Sequence, residues 1–396
     1  MNVLVISQMY PNTANDVSGI FVHEQILALK KNGINVIVVS PTQWIPFYIG
    51  LLPSKWESIR DIPAEDQRDS VQVFHPRYLS IPNSILYGTS GYMMYRGIKD
   101  KVNEIRKSFE FDIIHAHAAI PNGYAAMLLS RKLNVPYVVT IHGLDFYYSI
   151  HRNQLLKKQV EAVLRNSSKA IVVSDVLRKI GEQHLPGTTP LITINNGLNP
   201  ERVIAQPADI QKQGEERIVL SVANLKERKG IQYVILAVER LLKENINLKY
   251  LIVGDGPYRP ELERLVHELG LAQQIVFVGQ QEYHKTMQYM AACDVFVLPS
   301  WDEAFGVVYI EAMANAKPVI GCMEQGIEDI VMDSVTGFLV KPRDIDDLVR
   351  VLAEILTHPE QGIKVGRRAQ KHVLENFTWD KNAQEMVRIY KETIKA

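Results

Sequence analysis

The chain has 396 residues, with 44 Lys and Arg against 44 Asp and Glu, so its formal net charge at pH 7 is zero. A balanced charge gives no overall field to attract nucleic acid, and we expect no nucleic-acid partner. The length is sufficient for two domains with large buried cores. The two cysteines, Cys293 and Cys322, belong to no metal-binding or disulfide pattern, which favours a reducing cytoplasm.

The first residues, Met1 to Tyr10, contain no Lys or Arg before their apolar run and no small-residue cleavage site. We therefore interpret them as a first strand and not as a signal peptide. No apolar run reaches the roughly 18 residues that a membrane-spanning helix needs, so the sequence predicts none.

Short runs rich in Val and Ile alternate with amphipathic stretches along the chain. The runs that we predict as strands are Val3–Ser7, Asn35–Val39, Asp112–Ile114, Tyr137–Thr140, Ala170–Val173, Leu191–Ile194, Ile218–Val222, Leu248–Val253, Ile275–Val278, Val295–Leu298 and Pro318–Ile320. Runs that are apolar on both faces are typical of buried parallel strands, and strands that alternate with helices form covered parallel sheets. The predicted fold class is therefore α/β.

A polar segment in the middle of the chain interrupts this alternation, which then restarts. We predict an N-terminal Rossmann-like domain at 1–195, a linker at 196–216 and a C-terminal Rossmann-like domain at 217–375. Ligands of doubly wound sheets bind at the carboxyl ends of the strands, so two such domains facing across a cleft would place the chemistry in the loops after their strands.

The last segment, 376–396, predicts a separate helix with Thr378 as its N-cap. Its predicted apolar face comprises Trp379, Met386, Val387, Ile389, Tyr390 and Ile394.

The most informative segment runs from Pro299 to Ala314 and reads PSWDEAFGVVYIEAMA. A strand ends just before it and a helix is predicted to begin near Gly306. The free amide groups of a helix start, here at Phe305, Gly306 and Val307, suit a diphosphate. Glu303 on the loop can accept a hydrogen bond from a sugar, and Glu311 in the helix can accept one from a ribose. Alternatively, both glutamates are merely solvated or capping residues.

A second segment, SVANLKERKG from Ser221 to Gly230, also follows a strand and opens a helix. Arg228 and Lys229 place cations where a helix dipole disfavours them unless an anion is bound. A basic helix start without a ligand is the alternative.

Two further strand ends carry glycines that permit a close approach of the backbone. They are Gly254 and Gly256 in the turn VGDGP, and Gly279 directly after Val278. On its own, the first of these is also an ordinary turn.

In the N-terminal half, Ser18 and Gly19 lie in the loop after the first strand, which lacks the G-x-G-x-x-G spacing of dinucleotide sites. His115 and His117 end one predicted strand, and His142 and Asp145 follow the next, in the order His-Gly-Leu-Asp. We interpret His115 as structural. The histidine spacing does not predict a metal site.

Together these segments resemble glycosyltransferase family 4, whose members are retaining enzymes of two Rossmann-like domains (the GT-B fold) with a C-terminal helix that crosses back to the first domain. The family's E-x7-E motif matches Glu303 and Glu311, and its K-G pair matches Lys229 and Gly230. The resemblance implies that Glu303 contacts the donor sugar, Glu311 the ribose and Lys229 the phosphates. Asn224 stands where many members have arginine, so Arg228 is the expected second cation.

The resemblance implies roles for the other segments as well. Residues matched to the donor are Gly254 and Gly256 near the nucleotide, Val278 and Gly279 at the base, and Phe305, Gly306, Val307 and Gly19 at the phosphates. The histidine of the sugar side matches His142, while His117, Asp145 and Ser18 are placed near the acceptor, Ser18 in the position of a family glycine.

The segment QGIED at Gln325–Asp329 resembles a variant seen in bacterial cell-envelope polysaccharide enzymes, including those of the teichuronic-acid type. We therefore expect a retaining transferase, independent of metal and of other cofactors, that moves a sugar from a nucleotide-sugar, with UDP as the expected nucleotide, to a glycan or lipid-linked acceptor. The alternatives are a nucleotide-sugar epimerase, a non-enzymatic sugar-binding protein and an NAD-dependent oxidoreductase, the last disfavoured by the missing glycine pattern.

An apolar, aromatic segment at Trp44–Leu52 follows the second predicted strand. Basic residues that we place near it are Lys55, Lys99, Lys101, Arg106 and Lys107. Such a surface predicts peripheral contact with the inner face of a membrane; a packed loop with scattered lysines is the alternative.

Overall fold

The computed structural model describes residues 1–44, 58–80, 87–210 and 214–395. Two compact units make up the chain: unit 1 comprises Met1–Asn195 with Trp379–Ala396, and unit 2 comprises Asn196–Thr378. Each unit is built on a largely or wholly parallel sheet with helices. The predicted α/β fold class is confirmed.

The strands of unit 1 are β1 Asn2–Ile6, β2 Asn35–Val39, β3 Thr42–Gln43, β4 Glu65–Arg68, β5 Val71–Phe74, β6 Arg77–Tyr78, β7 Ile113–His117, β8 Tyr137–Ile141, β9 Lys169–Val172 and β10 Leu191–Thr193. In the main sheet they follow the order β10-β9-β8-β7-β1-β2-β5-β4. All neighbours in it are parallel except β4 and β5, which are antiparallel. The strands β3 and β6 pair separately.

Strand β1 lies inside this sheet between β2 and β7, with Val3 paired to Val36 on one side and to Ile113 on the other. Because helices cover both faces, β1 is fully buried from Val3 to Ile6. This burial explains its continuous apolar sequence.

Among the residues that the structure describes, the longer helices of unit 1 before the chain enters unit 2 are α1 Ile20–Lys31, α2 Ser90–Ser108, α3 Tyr124–Leu133, α4 Gln154–Asn166 and α5 Asp175–His184, with a short helical turn at Ile150–Arg152. Helices α1, α3, α4 and α5 follow β1, β7, β8 and β9 and give the strand–helix alternation that the sequence predicts, whereas α2 follows β6.

Unit 2 has one parallel sheet in the order β13-β12-β11-β14-β15-β16. Its strands are β11 Arg217–Val222, β12 Leu248–Val253, β13 Ile275–Gly279, β14 Val295–Val297, β15 Val319–Cys322 and β16 Phe338–Val340. Its helices are α6 Ile231–Lys243, α7 Arg259–Glu268, α8 Tyr283–Ala292, α9 Val307–Ala314, α10 Ile345–Thr357 and α11 Pro359–Asn376, with a short helix at Pro200–Val203. The order reverses at β11 and β14, where ligands of such sheets bind.

The segment predicted as a linker is part of unit 2. Leu198 and Val203 are buried, and the Leu198 amide donates to the carbonyl of Phe377 over 2.9 Å. Asn315 donates its side-chain amide to the Val203 carbonyl over 3.0 Å. Two apolar residues in a polar sequence therefore fasten this stretch to the unit.

The last helix, α12, runs over Trp379–Lys395 and returns to unit 1. It packs on α1 within one core cluster that contains Met386, Ile389 and Tyr390. The predicted apolar face is wrong at Ile394, which lies in the last turn of the helix and is 41% exposed.

Within the described ranges, no helix is long and apolar enough to cross a membrane. Residues 45–52 of the predicted aromatic segment, and Lys55, lie outside the described residues.

Candidate functional site

Three loops of unit 2 meet at the carboxyl ends of β11, β14 and β15. Gly230 has a φ of 72°, and a Cβ atom on it would lie 2.2 Å from the carbonyl oxygen of Pro299. The Trp301 amide donates to the Arg228 carbonyl over 2.9 Å. Glycine is therefore needed at residue 230 for the loops after β11 and β14 to touch.

An ion pair joins these two loops. The Nζ atom of Lys229 lies 2.6 Å from Oε2 of Glu303, and the two side chains are only 15% and 13% exposed. Ser300 donates its hydroxyl to the same oxygen over 3.1 Å. Burial opposes ionisation of Glu303, but the ammonium of Lys229, the charge of Arg228 and the Ser300 bond outweigh it and hold the pKa of Glu303 below its ordinary value. Glu303 is therefore a charged acceptor at neutral pH.

The backbone of Glu303 is fixed by the loop after β15. The Glu303 amide donates to Oε1 of Gln325 over 3.0 Å, and the Glu303 carbonyl accepts from the Gly326 amide over 2.9 Å. Arg228 donates one guanidinium N–H to the Asp302 carbonyl over 2.8 Å. The segment QGIED therefore holds the backbone of Glu303 in place.

Helix α9 begins immediately after this loop. Gly306, its N-cap, has a φ of 88°, and a Cβ atom there would lie 2.4 Å from the ring of Tyr309. Among the hydrogen bonds of the described residues, none uses the amides of Phe305, Gly306 or Val307. Phe305 itself is 2% exposed, so it contributes only its backbone. Unpaired amides at a helix start attract an anion.

Glu311 lies further along α9 and is 9% exposed. The hydroxyl of Tyr283 donates to its Oε1 atom over 3.0 Å. Burial raises the pKa of Glu311 to about 7, although the Tyr283 bond and the charge of Arg202 lower it. The sequence does not predict Tyr283 and Arg202 as site residues, because nothing in their local pattern indicates a contact with α9.

The glycines of the turn after β12 have a structural explanation. At Gly254, with a φ of 124°, a Cβ atom would lie 1.9 Å from the Ala223 carbonyl oxygen, and at Gly256 one would lie 2.4 Å from that of Leu225. A neighbouring loop of the protein, and not a ligand, therefore requires these two glycines. Their place near the nucleotide stays a prediction.

The predicted base-binding residues end β13. The Gly279 carbonyl accepts from the Gly254 amide over 2.8 Å, and the Val278 carbonyl accepts from the side chain of Gln281 over 3.1 Å. Both carbonyls therefore already accept one hydrogen bond within the protein. Their contact with a base stays a prediction.

Unit 1 carries a histidine cluster at the ends of β7 and β8. The Nδ1 atom of His117 and the Nε2 atom of His142 lie 3.0 Å apart, with the rings stacked 12° from parallel. The ring of Phe21 covers His142 at a centroid distance of 4.8 Å. Burial lowers the pKa of His142 to about 3 and that of His117 well below its ordinary value, so both imidazoles are neutral.

The outer nitrogens of this pair, Nε2 of His117 and Nδ1 of His142, are buried without a partner among the described residues. In a neutral pair that shares one hydrogen bond, one of these outer nitrogens carries a proton and can donate a hydrogen bond, and the other has a lone pair and can accept one. The pair therefore offers one donor and one acceptor to a polar group, such as a sugar hydroxyl.

His115 has a different position. Its two ring nitrogens lie 2.7 Å from the Tyr390 hydroxyl and 2.8 Å from the Thr140 hydroxyl, and the side chain is fully buried. Both nitrogens are satisfied within unit 1, in agreement with its interpretation as structural.

Asp145 is 2% exposed. Its two carboxylate oxygens accept from the backbone amides of Ala119 and Ile120 over 2.7 and 3.1 Å. Burial raises its pKa to about 6, while the two amide bonds lower it. The carboxylate fixes the chain after β7, and its predicted place near the acceptor stays untested.

The loop before α1 holds Ser18 and Gly19. Ser18 is exposed, and its amide donates to Oδ1 of Asn15 over 2.9 Å. A Cβ atom on Gly19, with a φ of 74°, would lie 2.2 Å from the carbonyl carbon of Met9. The backbone at Met9 therefore requires a glycine at residue 19. The approach of Gly19 to a phosphate stays a prediction.

In the part of the chain that the structure describes, no group of three or more His, Cys, Asp or Glu residues is arranged to hold a metal ion.

Comparison with known proteins gives two adjoining family matches. Residues 18–202 match the model described as Glycosyltransferase Family 4, and residues 203–372 match that of Glycosyl transferases group 1. The chain is a glycosyltransferase with a Family 4 domain followed by a group 1 domain. Its first matched domain corresponds to most of unit 1 and its second to most of unit 2.

Among relatives of this glycosyltransferase is the putative teichuronic acid biosynthesis glycosyltransferase TuaC of Bacillus subtilis, 27% identical over 367 residues, which span 91% of this chain and 89% of TuaC. Similar solved structures include sucrose-phosphate synthase from Thermosynechococcus elongatus, with a TM-score of 0.83, 23% identity and coverage of 99% and 98% of the two chains. Another is HepE of Anabaena in complex with UDP, with a TM-score of 0.75, 20% identity and coverage of 99% and 100%. These two likenesses establish the fold.

Proposed function

We propose that this glycosyltransferase takes a sugar from a UDP-sugar and transfers it, with retention of anomeric configuration, to a glycan or lipid-linked acceptor. The observation that carries the proposal is the ion pair of Lys229 and Glu303. Glu303 lies two residues before Phe305, where the unpaired amides of the helix start begin. An ammonium, a carboxylate and a helix start in one place suit a sugar joined to a diphosphate.

The diphosphate is proposed to bind at the start of α9. A lysine has three N–H donors, so Lys229 can keep its bond to Glu303 and still donate to a phosphate oxygen. The amides of Phe305, Gly306 and Val307 supply further donors. These groups would stabilise the negative charge that grows on the phosphate as the sugar departs. Arg228 retains further guanidinium donors beside its bond to Asp302.

Retention is proposed to proceed by departure and attack on one face of the sugar. Glycosidases that retain configuration by double displacement use two carboxylates about 5 Å apart. In unit 2, Glu303 is paired with Lys229 and Glu311 is held by Tyr283, which leaves neither as a free nucleophile. The bond from the anomeric carbon to the phosphate oxygen would break, the acceptor oxygen would bond to that carbon, and the departing phosphate would take the acceptor proton.

His142 is proposed to contact the transferred sugar. Its buried Nδ1 atom and Nε2 of His117 provide one donor and one acceptor, as the hydroxyl groups of a sugar require. His117, Asp145 and Ser18 are proposed to lie on the acceptor side, with Asp145 acting through the backbone that it fixes.

UDP as the nucleotide is supported by the HepE complex, whose name includes UDP. A role in bacterial cell-surface polysaccharide synthesis is supported by the likeness to TuaC.

Peripheral membrane contact is proposed for unit 1, where Trp44, Leu79 and Tyr92 are 49%, 60% and 47% exposed. These exposed aromatic and apolar side chains line one surface cavity together with Arg77 and Arg96, and such a combination suits an anionic bilayer surface. We expect the protein to co-sediment with liposomes that contain anionic lipid. In the cell it would then act at the inner face of the membrane. A protein that remains in the supernatant at low salt would exclude this contact.

The transfer reaction is tested by release of UDP from a panel of UDP-sugars with acceptor candidates. Glu303→Ala and Lys229→Ala should lower turnover by roughly 10²- to 10³-fold while the fold is retained by circular dichroism. Lys226→Ala and Glu324→Ala, which remove exposed charges of the same type from neighbouring loops, are the matched controls. Turnover similar to wild type in either site variant would refute its assigned role.

Two further measurements separate this proposal from its alternatives. Conversion of the UDP-sugar to an epimer without any acceptor would identify an epimerase. We also propose that no metal is required, because Lys229 and the helix start supply the positive charge, so turnover should survive treatment with EDTA; its complete loss, restored by a divalent cation, would contradict this.

A further inference from the structure

We propose that Tyr283 is a positioning residue for the ribose of the donor: by donating to Oε1 of Glu311, it favours the charged form of this carboxylate and leaves Oε2 to accept from the ribose hydroxyl groups. The inference rests on the proposed function, because it assumes a nucleoside diphosphate bound at α9. It adds Tyr283 to the site and predicts how donor affinity depends on pH.

The surroundings of Glu311 make a partner necessary. Helix α9 is buried around it, with Tyr309, Ile310, Ala312 and Met313 at 0% exposure. A carboxylate in such an apolar helix loses its hydration and tends to become neutral. The Tyr283 hydroxyl, 3.0 Å from Oε1, is the hydrogen bond that opposes this tendency.

The second carboxylate oxygen is left available. Oε2 of Glu311 accepts no hydrogen bond from the residues that the structure describes, yet it is not among the polar side-chain atoms that are sealed from solvent without a partner. It is therefore reachable from outside. A single reachable oxygen on a fixed carboxylate is suited to a pair of adjacent hydroxyl groups.

The charges that face Glu311 come from two elements. Helix α8 contributes Tyr283, and the short helix Pro200–Val203 contributes Arg202, whose guanidinium carbon lies 5.4 Å from the centre of the Tyr283 ring. The buried residues of α11, which packs on α9, are uncharged. Strand β15 also contacts α9, and burial raises the pKa of its Cys322 thiol to about 12. Because burial leaves the pKa of Glu311 at about 7 despite both helpers, its charge changes within the physiological range.

The sign of the pH effect follows from these contacts. Below pH 7 Glu311 is increasingly protonated and accepts more weakly, so donor affinity should fall with falling pH. Removal of the Tyr283 hydroxyl takes away a bond that favours the charged form, so the pKa of Glu311 should rise and the loss of affinity should begin at higher pH.

The experiment is a calorimetric titration of the full chain with UDP, GDP and ADP between pH 6 and pH 9, for wild type and Tyr283→Phe. Tyr289→Phe, on the same helix, is the control. The terminal phosphate of the nucleotide also titrates near pH 6, so the ratio of the two Kd values is compared. For a shift of about one unit, the variant should bind the preferred nucleotide roughly fivefold more weakly at pH 7 and within twofold of wild type at pH 9.

A background of Glu311→Gln completes the test, because a neutral amide cannot titrate. There the additional change Tyr283→Phe should alter Kd by less than twofold at every pH. A weakening by Tyr283→Phe that is the same at all pH values, or no weakening, would overturn the inference and leave the proposed function intact. Failure of wild type to bind any of the three nucleotides would overturn both.

Discussion

Replacement of Lys229 by Met removes the ammonium that faces Glu303 but keeps most of the side-chain volume. Unit charges 2.6 Å apart attract by about 6 kcal/mol at an effective dielectric constant of about 20. The loss of hydration on burial offsets much of this attraction, but deletion of one partner leaves the other charge buried and unpaired, which costs roughly 3–5 kcal/mol. Because both side chains retain some exposure, we expect Lys229→Met to destabilise unit 2 by about 3 kcal/mol.

Glu303→Gln should have a similar effect, whereas the double variant removes both charges. If the two residues act as a pair, the double variant should be more stable than the sum of the single effects predicts, by about 2 kcal/mol. The chain has two units, so a single unfolding transition is not assumed. Hydrogen exchange of the central strand β11 in increasing urea measures unit 2 by itself.

The pH dependence of this destabilisation provides a second check. Since the pKa of Glu303 is lowered in the folded state, the pair contributes its full stability above the ordinary carboxyl pKa of 4.5 and loses it as the pH falls through the lower folded value. The difference in stability between wild type and Lys229→Met should therefore be largest near pH 7 and should decrease as the pH falls below 4.5. A difference that does not decrease anywhere on acidification, or that is below about 0.5 kcal/mol at pH 7, would refute the reasoning.

Three further predictions concern residues outside this pair. Tyr390→Phe leaves a buried ring nitrogen of His115 unpaired and should destabilise unit 1 by about 1–3 kcal/mol, measured by hydrogen exchange of β7. Gly254→Ala, which places a methyl group against a neighbouring carbonyl oxygen, should lower the melting temperature by several degrees in calorimetry. Since the pKa of His142 is about 3 and that of His117 is also low, kcat at saturating donor should show no midpoint near pH 6.5 that depends on His142; a midpoint there that disappears in His142→Ala would contradict their neutral state.

The strands of both sheets were predictable where they are buried on both faces. Largely apolar runs such as Val3–Ser7 and Leu248–Val253 are typical of strands inside a covered parallel sheet. The short strand β4, with the polar sequence EDQR, was not predictable, because it lies at the sheet edge and only its pairing with β5 makes it a strand. The three-residue strand β16 is likewise too short to have a pattern of its own.

The candidate site was predictable as a set of motifs but not as a set of contacts. The positions of Glu303, Glu311 and Lys229 follow from their strand and helix boundaries. The bond between Lys229 and Glu303, 74 residues apart, and that between Tyr283 and Glu311, 28 residues apart, depend on which strands are neighbours. A single sequence does not specify that order.

The glycines illustrate a related limit. Sequence reasoning attributed the freedom of Gly254, Gly256 and Gly19 to a ligand, since a glycine next to a binding loop often serves that purpose. The structure shows that in each case the protein's own backbone occupies the space where a side chain would begin. Only tertiary contacts distinguish these two reasons.

The central claim, that Lys229 and the start of α9 hold the diphosphate of the donor, is tested most directly by comparing the affinities of UDP and uridine for wild type and Lys229→Met. We expect the variant to lose roughly tenfold or more in affinity for UDP, because a charge-assisted bond to phosphate disappears, and to bind uridine as wild type does. An unchanged affinity for UDP, or an equal loss for UDP and uridine, would contradict the account.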